Sequence, residues 1–208
     1  PQRGRKNLDE AFAKQGRQRM YDRGQSVVRD GEFPHFIYRI NTGHVHLVRI
    51  HEYGREYIIA ELGPGDVFGV GTLLEEVPFH YTARVASQTL DCQMLPKEDL
   101  IKLMNTDRTV VEALMRLLAK RAMVTSERLV NQAYDSVRRR TALVLCDLQQ
   151  KYGAVPIELS RDELAQMVGS TKESVIRALS DFRKEGLLTT EGRLIHLKEP
   201  VALRGLLV

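Results

Sequence analysis

Apolar residues between positions 160 and 185 recur at helical spacing in two short runs, which predicts two helices separated by a tight turn at Gly169. Ser160 and Glu163 have the spacing of a capping box, in which a hydroxyl and a carboxylate bond to free backbone N–H groups at a helix start. Gly169 can adopt the positive φ that ends a helix, and Thr171 is suited to cap the second one. The pattern therefore predicts a helix-turn-helix.

The second of these helices has two distinct faces. Its apolar residues share one face and are predicted to pack on the domain: Val175, Ala178, Leu179 and Phe182. Lys172, Glu173 and Arg177 lie on the opposite face, where a carboxylate can accept from a cytosine amino group and a guanidinium can bind O6 and N7 of guanine. We predict that they read bases in the DNA major groove, although an exposed Glu–Arg pair one turn apart can also serve only to support its own helix.

Two strand-like runs at 187–190 and 193–197 surround Glu191 and Gly192, which is the pattern of a β-hairpin. A hairpin directly after such a helix pair predicts a winged helix-turn-helix. Residues at the helix starts and on the wing are predicted to contact DNA phosphates, which set the register of a protein without carrying sequence information. These residues are Ser160, Arg161, Thr171, Thr190 and Arg193.

The first part of the chain has a different pattern. From about Arg17 to Leu95, short apolar runs such as residues 36–40, 45–50 and 57–60 alternate with turn residues. The turns fall at Gly24, 30–31, 41–43, 53–54 and 63–66. Turns at such close intervals leave no room for parallel strands joined by helices, so they predict a compact antiparallel β-barrel or roll.

A long helix is predicted from Asp107 to Tyr134, a stretch without Pro or Gly that follows a short helix beginning near Pro96. At about 1.5 Å per residue it spans roughly 40 Å. Its sustained apolar stripe is typical of a two-helix dimer seam, although a helix that only covers the barrel has the same pattern. The stripe comprises Val110, Val111, Leu114, Leu117, Leu118, Arg121, Thr125 and Leu129. The break at Asp135 and Ser136 is the predicted hinge before a further helix.

The 208 residues of the chain, 43% hydrophobic and 28% charged, predict a soluble globular protein. No run approaches the roughly 18 apolar residues of a membrane span, and the polar first residues are not followed by the apolar segment of a signal peptide. Cys92 and Cys146 lack the paired spacing of a metal site and predict buried thiols in a reducing compartment. We therefore expect a cytoplasmic protein that does not contact a membrane.

Net charge does not by itself identify a DNA-binding segment. The formal net charge of the chain is +4, but residues 156–208 hold eight basic and eight acidic residues. Only the arrangement of these charges points to DNA. The basic excess lies at Arg3, Arg5 and Lys6 and at residues 138–140, where three consecutive arginines can reach flanking phosphates or form a solvated helix end.

The order of these parts resembles the cyclic-AMP receptor protein and fumarate-nitrate regulator family, the CRP/FNR family of bacterial transcription factors. Two turns resemble those of its cyclic-nucleotide-binding barrel, Tyr-Arg-Ile-Asn-Thr-Gly at 38–43 and Leu-Gly-Pro-Gly-Asp-Val-Phe-Gly at 62–69. Residues 124–131 are similar to the end of its dimer helix, and residues 172–173 with Arg177 match its recognition helix. The resemblance implies an α+β fold in three parts: a cyclic-nucleotide-binding-type sensor β-roll at 1–106, a dimerisation helix and hinge at 107–135, and a winged helix-turn-helix at 136–208.

The resemblance also locates an effector pocket. Nucleotide-sensing members follow the Phe-Gly of the barrel with a glutamate for the ribose and later carry an Arg-Ser pair for the cyclic phosphate, but here these positions hold Val70 and Tyr81–Thr82. Because a phosphate buried without its cation is unfavourable, cyclic AMP is not expected. Arg84 is close in sequence but faces the opposite side of an extended strand. Thr125 and Ser126 match the family positions that meet the adenine, although on a helix seam they can also serve only as interhelical hydrogen-bonding residues.

Other effectors in the family are an iron–sulfur cluster and haem. Two separated cysteines cannot hold a cluster, which needs about four thiolates. Haem needs only an axial ligand, and among the histidines of the barrel segment His80 lies nearest to the effector region. We favour a barrel that is closed by Val70, Tyr81 and neighbouring apolar side chains and needs no small molecule, or one that binds an effector of another kind. No cofactor is expected.

These observations predict a homodimeric transcription regulator that binds an inverted-repeat DNA operator through a recognition helix at 172–185. Its expected partners are double-stranded DNA, a second copy of the chain and, by family resemblance, RNA polymerase. The rival hypothesis is a ligand-sensing regulatory module that acts on a protein partner and uses the winged helix for docking. Enzyme activity is not expected, because the sequence has no glycine-rich phosphate loop, paired metal-ligand spacing or nucleophile elbow.

Overall fold

The computed structural model describes residues 2–153 and 156–207. The outer limits of the predicted domains, Pro1 and Val208, lie outside the described residues. The chain divides between Val124 and Thr125 into two compact units. The first unit is rich in β-strands and the second in helices, which confirms the predicted α+β fold. In the described part of the chain, no helix is long and apolar enough to cross a membrane.

Within the described residues, the first unit is built on two four-stranded antiparallel sheets. Their strands are β1 (Arg17–Asp22), β2 (Ser26–Val28), β3 (Phe36–Thr42), β4 (Val45–Ile50), β5 (Glu56–Leu62), β6 (Val67–Phe68), β7 (Thr82–Val85) and β8 (Thr89–Pro96). One sheet has the order β1-β8-β3-β6 and the other β2-β7-β4-β5, so the predicted antiparallel roll is present. Gly43 turns the chain between β3 and β4 with a φ of 86°, and a Cβ there would collide with the Thr89 backbone.

Apolar side chains alternate along these strands and fill the interior of the roll. Tyr38 and Phe68 stack with their ring centroids 4.9 Å apart, and Phe79 meets Tyr81 edge-on at 5.4 Å. Aromatic pairs in such geometries stabilise a core by about 0.5–1.5 kcal/mol beyond the area that they bury. Cys92 belongs to the same cluster, and burial raises the pKa of its thiol to about 12. It is therefore the buried thiol that the sequence predicts.

The helices that accompany the roll are α1 (Gln2–Gln15), α2 (Val70–Glu75), α3 (Lys97–Thr106) and α4 (Arg108–Tyr134). The sequence prediction omits α1 and α2, because α2 is short and α1 is mostly polar, with Leu8, Ala11 and Phe12 as its buried apolar side chains. α3 and α4 begin where predicted. Asp107 separates them, since its carboxylate accepts hydrogen bonds from the Thr109 N–H and hydroxyl at 2.8 and 2.7 Å.

The second unit begins within α4. It continues with α5 (Val137–Tyr152), β9 (Ile157–Glu158), α6 (Arg161–Val168), α7 (Lys172–Lys184), β10 (Leu188–Glu191), β11 (Leu194–Leu197) and α8 (Pro200–Gly205). The predicted hairpin is β10–β11, and β9 adds a further antiparallel strand to it. The turn lies one residue later than predicted, because Glu191 pairs with Leu194 and leaves Gly192 and Arg193 between the strands. Gly192 has a φ of 54°, which such a short turn requires.

A separate apolar core holds the second unit together. Phe182 of α7 is fully buried in it, and Leu145, Leu164 and Ile195 bring α5, α6 and β11 to the same cluster. Each large buried side chain of this kind stabilises the folded state by about 1.5–3 kcal/mol relative to exposure to water. The core therefore fixes the orientation of α7 within its unit.

Candidate nucleic-acid interface

The first helix of the predicted helix-turn-helix, α6, starts and ends at the predicted residues. Ser160 Oγ accepts a hydrogen bond from the Glu163 N–H at 3.0 Å, and the Glu163 carboxylate accepts one from the Ser160 N–H at 2.7 Å. Gly169 ends the helix with a φ of 66°. Thr171 Oγ1 accepts from the Ser174 N–H at 3.3 Å and caps α7. These contacts confirm the capping box and the turn, and they determine where α7 begins.

α7 has the two faces that the sequence predicts. Its buried residues are Val175, Ala178, Leu179 and Phe182. Lys172, Glu173 and Arg177 are exposed. Among the described residues, the Glu173 carboxylate and the Arg177 guanidinium form no hydrogen bond or ion pair, although they lie one turn apart. The intrahelical pair that would only support the helix is therefore not formed, and both charged groups are available to a ligand.

Lys172 differs from these two residues because it is already paired. Its Nζ lies 2.8 Å from Oδ2 of Asp162 in the first turn of α6. The two side chains are 47% and 61% exposed, and exposed ion pairs contribute only about 0–1 kcal/mol, so the pair can open without disturbing the fold. The sequence prediction omits Asp162. Its signal in the sequence is an acidic residue directly after Arg161, a predicted phosphate contact.

The turn before α7 is held by the end of α4 and the start of α5. The Val168 carbonyl oxygen accepts from Gln132 Nε2 at 2.9 Å and from Arg140 Nε at 3.1 Å. Arg140 Nη1 also donates to the Asp135 carbonyl oxygen at 2.8 Å, in the break between the two helices. A Cβ on Gly169 would lie 2.5 Å from Gln132 Nε2, so glycine permits this contact as well as the turn. The predicted hinge is therefore a hydrogen-bonded corner of the second unit.

The arginines at 138–140 are bound within their own unit and do not form the solvated helix end that is one of the two sequence-based alternatives. Arg138 Nη2 donates to the Glu185 carboxylate at 2.6 Å, and its guanidinium lies 4.5 Å from the centroid of the Phe182 ring. Arg139 donates to backbone carbonyl oxygens just after α8. Each guanidinium is bound to a group of its own unit, so these residues stabilise the domain.

Two of the predicted phosphate contacts also bind within the domain. Arg161 Nη2 donates to the Gly192 carbonyl oxygen in the wing turn at 3.2 Å, and Arg193 Nη2 donates to the Glu163 carboxylate at 2.7 Å. Burial lowers the pKa of Arg161. Thr190 is partly exposed on β10. The two arginines therefore tie the wing to the start of α6.

Tyr81 lies inside the roll with 6% of its surface exposed. Burial raises the pKa of Tyr81 to about 12, while the nearby Arg121 guanidinium and a hydrogen bond from the Gly69 N–H act in the opposite direction. Arg121 in turn donates to the Val67 carbonyl oxygen. The phenol and the guanidinium thus connect the start of α2, β6 and α4 within the first unit.

The predicted dimer stripe is only partly available at the surface. Val110 and Leu114 are 0% and 2% exposed, because they pack with α1 and α3 against the roll of their own chain. Leu117 and Leu118 pack against the same cluster. The Arg121 guanidinium donates to the Val67 carbonyl oxygen in β6. Val110 and Leu114 are therefore buried within the first unit and offer no surface for a seam, whereas the place of Arg121 on a seam stays a prediction.

A different face of α4 is exposed. Its members follow the alternating spacing of four and three residues that two-helix seams use: Met115, Ala119, Ala122, Ser126, Leu129 and Ala133. Met115 and Leu129 are 65% and 67% exposed. The sequence prediction missed most of this face because small residues dominate it, and the larger side chains on the barrel side give a stronger signal. Of the predicted stripe, Leu129 lies on this face and Thr125 is exposed beside it.

Three predicted pocket residues lie outside the interior of the roll. Val70 is buried in the cluster formed with the helices. Thr82 and Arg84 alternate with the buried Ala83 along β7, and the Arg84 guanidinium binds both carboxylate oxygens of Glu56 at 2.9 and 2.7 Å. Hydrogen bonding to Glu56 raises the pKa of Arg84. A role of these three residues in an effector pocket stays a prediction, whereas the alternation along β7 confirms that Arg84 faces the opposite side from Ala83.

The remaining effector candidates are exposed. Thr125 and Ser126 lie at the surface of α4 in the second unit. His80, the candidate haem ligand, is also exposed, with its ring edge-on to Tyr81 at 5.3 Å. Across residues 2–153 and 156–207, no group of three or more His, Cys, Asp or Glu side chains is arranged to hold a metal ion.

Two family profiles match the chain. Residues 18–107 match the family described as a cyclic nucleotide-binding domain, and residues 139–206 match the family described as a Crp-like helix-turn-helix domain. The first match begins within β1 and extends past the last strand of the roll, and the second begins within α5 and extends past α8.

Known proteins are similar to the chain over most of its length. It is 29% identical over 187 residues to the CRP-like cAMP-activated global transcriptional regulator of Mycobacterium tuberculosis, covering 86% of this chain and 83% of that protein. It is 29% identical over 185 residues to the cyclic AMP receptor protein of Thermus thermophilus, covering 89% and 85%. The solved structure of FixK2 from Bradyrhizobium japonicum matches with a TM-score of 0.82 and 26% identity, covering 92% of this chain and 96% of that one.

Proposed function

The chain belongs to the CRP/FNR family of transcription factors and is a DNA-binding transcription regulator, and from this premise we propose that it binds an inverted-repeat operator as a homodimer through α7. The observation that carries the proposal is the exposure of Glu173 and Arg177, unpaired among the described residues, near the start of α7. Two such helices related by a twofold axis enter successive major grooves about 34 Å apart. We also infer that the protein acts in the cytoplasm and contacts RNA polymerase, as the family resemblance suggests.

The proposed roles of the exposed residues follow from the chemistry of the base edges. Arg177 donates two N–H groups to O6 and N7 of guanine, the commonest specific contact in the major groove. Glu173 accepts from the cytosine N4 amino group. Lys172 must leave Asp162 before it donates to a guanine, so we expect it to contribute less than Arg177.

We assign contacts with the DNA backbone to residues beside α7. The hydroxyl groups of Ser160, Thr171 and Thr190 are the candidate donors to phosphate oxygens. Arg161 and Arg193 are bound within the domain, so they contribute by placing the wing and by their positive charge. Such contacts add affinity for any sequence and make binding sensitive to salt.

Arg177→Ala should weaken binding to the operator by about 1–3 kcal/mol, roughly 5- to 150-fold, and should relax the preference at one base pair of each half-site. The reason is the loss of a bidentate contact that no neighbouring side chain replaces. The operator is first obtained by selection from random DNA with the wild-type protein. Fluorescence anisotropy then measures the affinity, and a second selection with the variant measures the base preference.

Arg183→Ala is the matched control, because it removes the same charge from an exposed position further along the same helix. It should weaken binding to all sequences alike and leave the base preference unchanged. An unchanged base preference for Arg177→Ala would refute the assigned role. If the wild-type protein showed no salt-dependent, sequence-selective binding, the proposed function itself would be wrong and docking to a protein partner would be favoured.

We propose that a second copy of the chain covers the exposed face of α4 defined above. Leu129 and Met115 would leave large apolar areas in water without a partner, and each fully buried side chain of this size gains about 1.5–3 kcal/mol. The alternating spacing keeps these residues on one seam over residues 115–133. Alanine and serine on the same face allow two helices to approach closely.

The residues of the roll do not fit cyclic AMP. Val70 stands at the position where nucleotide-sensing members carry the ribose-binding glutamate, and it is buried among apolar side chains. Tyr81 stands at the position of the phosphate-binding arginine, and its hydroxyl accepts from the Gly69 N–H near Arg121. We infer that Tyr81 closes the roll from inside, so that the sensor unit keeps its contact with α4 without a nucleotide.

Millimolar cyclic AMP should therefore change neither the melting temperature nor the operator affinity of the wild-type protein. A ligand present at 100 times its Kd would stabilise the native state by about 2.7 kcal/mol, which shifts Tm by several degrees. Scanning fluorimetry and anisotropy measure the two effects. Tyr81→Phe should melt at a lower temperature, because the Gly69 N–H loses its acceptor, and should also not respond. A rise in Tm or operator affinity with cyclic AMP would overturn the inference.

A further inference from the structure

Ile176 is the one apolar residue on the exposed face of α7. It is 45% exposed, whereas the other exposed residues of this helix are all charged: Lys172, Glu173, Arg177, Arg183 and Lys184. A single exposed apolar side chain is common on protein surfaces and needs no explanation by itself. The position of Ile176 on the helix, beside the candidate base-reading residues, is what suggests a function.

Ile176 lies among the candidate base-reading residues. It follows Lys172 by four positions and Glu173 by three, and it directly precedes Arg177. Residues three and four apart on a helix are surface neighbours, so the isoleucine methyl groups lie within the charged patch near the start of α7. The first turns of a recognition helix are the part that reaches base edges. Any major-groove complex made by Arg177 therefore brings Ile176 close to the DNA as well.

The chemistry of the groove identifies a partner for this side chain. The C5-methyl group of thymine is the apolar group that a base pair presents in the major groove. A branched aliphatic side chain cannot form hydrogen bonds, so against the edge of another base it would remove water from polar groups without replacing their bonds. The neighbouring Lys172 ammonium is held by Asp162 in the free protein, with Nζ 2.8 Å from the carboxylate, so it does not compete with Ile176 for the same base edge unless that pair opens.

We infer that Ile176 is a specificity-determining residue that contacts a thymine methyl group in each half-site, next to the base pair read by Arg177. The inference rests on the proposed function and deepens it. It adds a thymine, recognised by apolar contact, to the guanine and cytosine recognised by hydrogen bonds. Sequence reasoning passes over this residue because an isoleucine on a helix is normally assigned to the core.

The test removes one methyl group from the DNA at a time. Each thymine of the selected operator is replaced in turn by deoxyuridine, which keeps base pairing and lacks only the C5-methyl group. With the wild-type protein, one position in each half-site should show about a 3- to 10-fold loss of affinity by anisotropy. With Ile176→Ala, the same replacement should have no effect, because the side chain that meets the methyl group is absent.

Two controls keep the test specific. Arg183→Ala should retain the sensitivity to deoxyuridine, since its side chain lies further along the helix. When the sensitive thymine is replaced by cytosine, methylation of that cytosine at C5 should restore part of the affinity for the wild-type protein only. Circular dichroism should show that Ile176→Ala is folded, as expected for a substitution at an exposed helical position.

The outcomes separate the inference from the proposed function. Sequence-selective binding without any methyl-sensitive position, or with a sensitivity that persists in Ile176→Ala, would overturn the role of Ile176 and leave the proposed function standing. An absence of sequence-selective DNA binding would overturn both.

Discussion

Leu129→Asp should convert the protein to a monomer and weaken its binding to a full inverted repeat by roughly 100-fold or more. The substitution places a carboxylate on the exposed face of α4, where a second copy would bring an identical charge against it. Two half-sites bound by one dimer gain their affinity from the high effective concentration of the second domain, and a monomer loses that gain. Binding to an isolated half-site should change little, because Leu129 is remote in sequence from α7.

Sedimentation velocity and native mass spectrometry measure the oligomeric state, and anisotropy with full and half operators measures the two affinities. Val124→Asp is the matched control. It also places an aspartate at an apolar position of α4, and Val124 is 40% exposed. However, Val124 lies on the opposite side of the helix from the proposed seam of residues 115–133. This variant should remain dimeric. A dimeric Leu129→Asp with wild-type affinity for the full operator would show that the seam lies elsewhere.

Phe182→Ala should destabilise the second unit by about 3–5 kcal/mol. Phe182 is fully buried, contacts the core beneath α7 and carries the Arg138 guanidinium over its ring at 4.5 Å. Its truncation removes apolar burial, leaves a cavity and takes away a cation–π contact at once. Because whole domains are stable by only about 5–15 kcal/mol, the loss should abolish operator binding at temperatures where the wild-type protein is active.

Hydrogen exchange measured by mass spectrometry locates the effect along the chain. Phe79→Ala is the companion variant, since Phe79 is 2% exposed in the core of the roll and suffers the same chemical change. Phe182→Ala should raise exchange in α5 to α8, and Phe79→Ala should raise it in the strands of the roll. Equal loss of protection in both regions for both variants would contradict the existence of two separate cores.

The helix-turn-helix could be predicted from the sequence because its signals are local. Ser160 and Glu163 bond to each other's backbone, and Gly169 ends the helix within a dozen residues of the first cap. The roll could be predicted for a similar reason, since turn residues recur at short intervals along β1 to β8. In both cases the physical cause and the sequence pattern lie in the same short segment.

Contacts between distant segments could not be predicted in this way. The Arg138–Glu185 hydrogen bond joins residues 47 positions apart. Nothing in the run of three arginines indicates that the first of them has a carboxylate partner in the fold. The same limit applies to Asp162, because its role as the ion-pair partner of Lys172 depends on the two residues lying close together in the fold. Charged residues in a row are therefore weak predictors of a phosphate contact until their partners in the folded chain are known.

The dimer stripe shows a different limit of sequence reasoning. α4 carries two stripes with helical spacing, one of large side chains that packs on the roll and one dominated by small residues that is exposed. Periodicity predicts that a helix has an apolar face, but it does not say whether the partner is the same chain or another one. Leu129, which the sequence predicts on the seam, is 67% exposed, and its contact with a second copy stays a prediction.

The Val168 carbonyl oxygen receives hydrogen bonds from both sides of the break between α4 and α5, from Gln132 and from Arg140. The Val168 carbonyl oxygen is thus bound to both α4 and α5. If the last turn of α4 rotates, the Gln132 hydrogen bond transmits the movement to the Val168 peptide group, which lies just before the turn into α7. No change inside α7 itself is needed. The orientation of the proposed base-reading residues would then be adjusted through hydrogen bonds that lie outside α7.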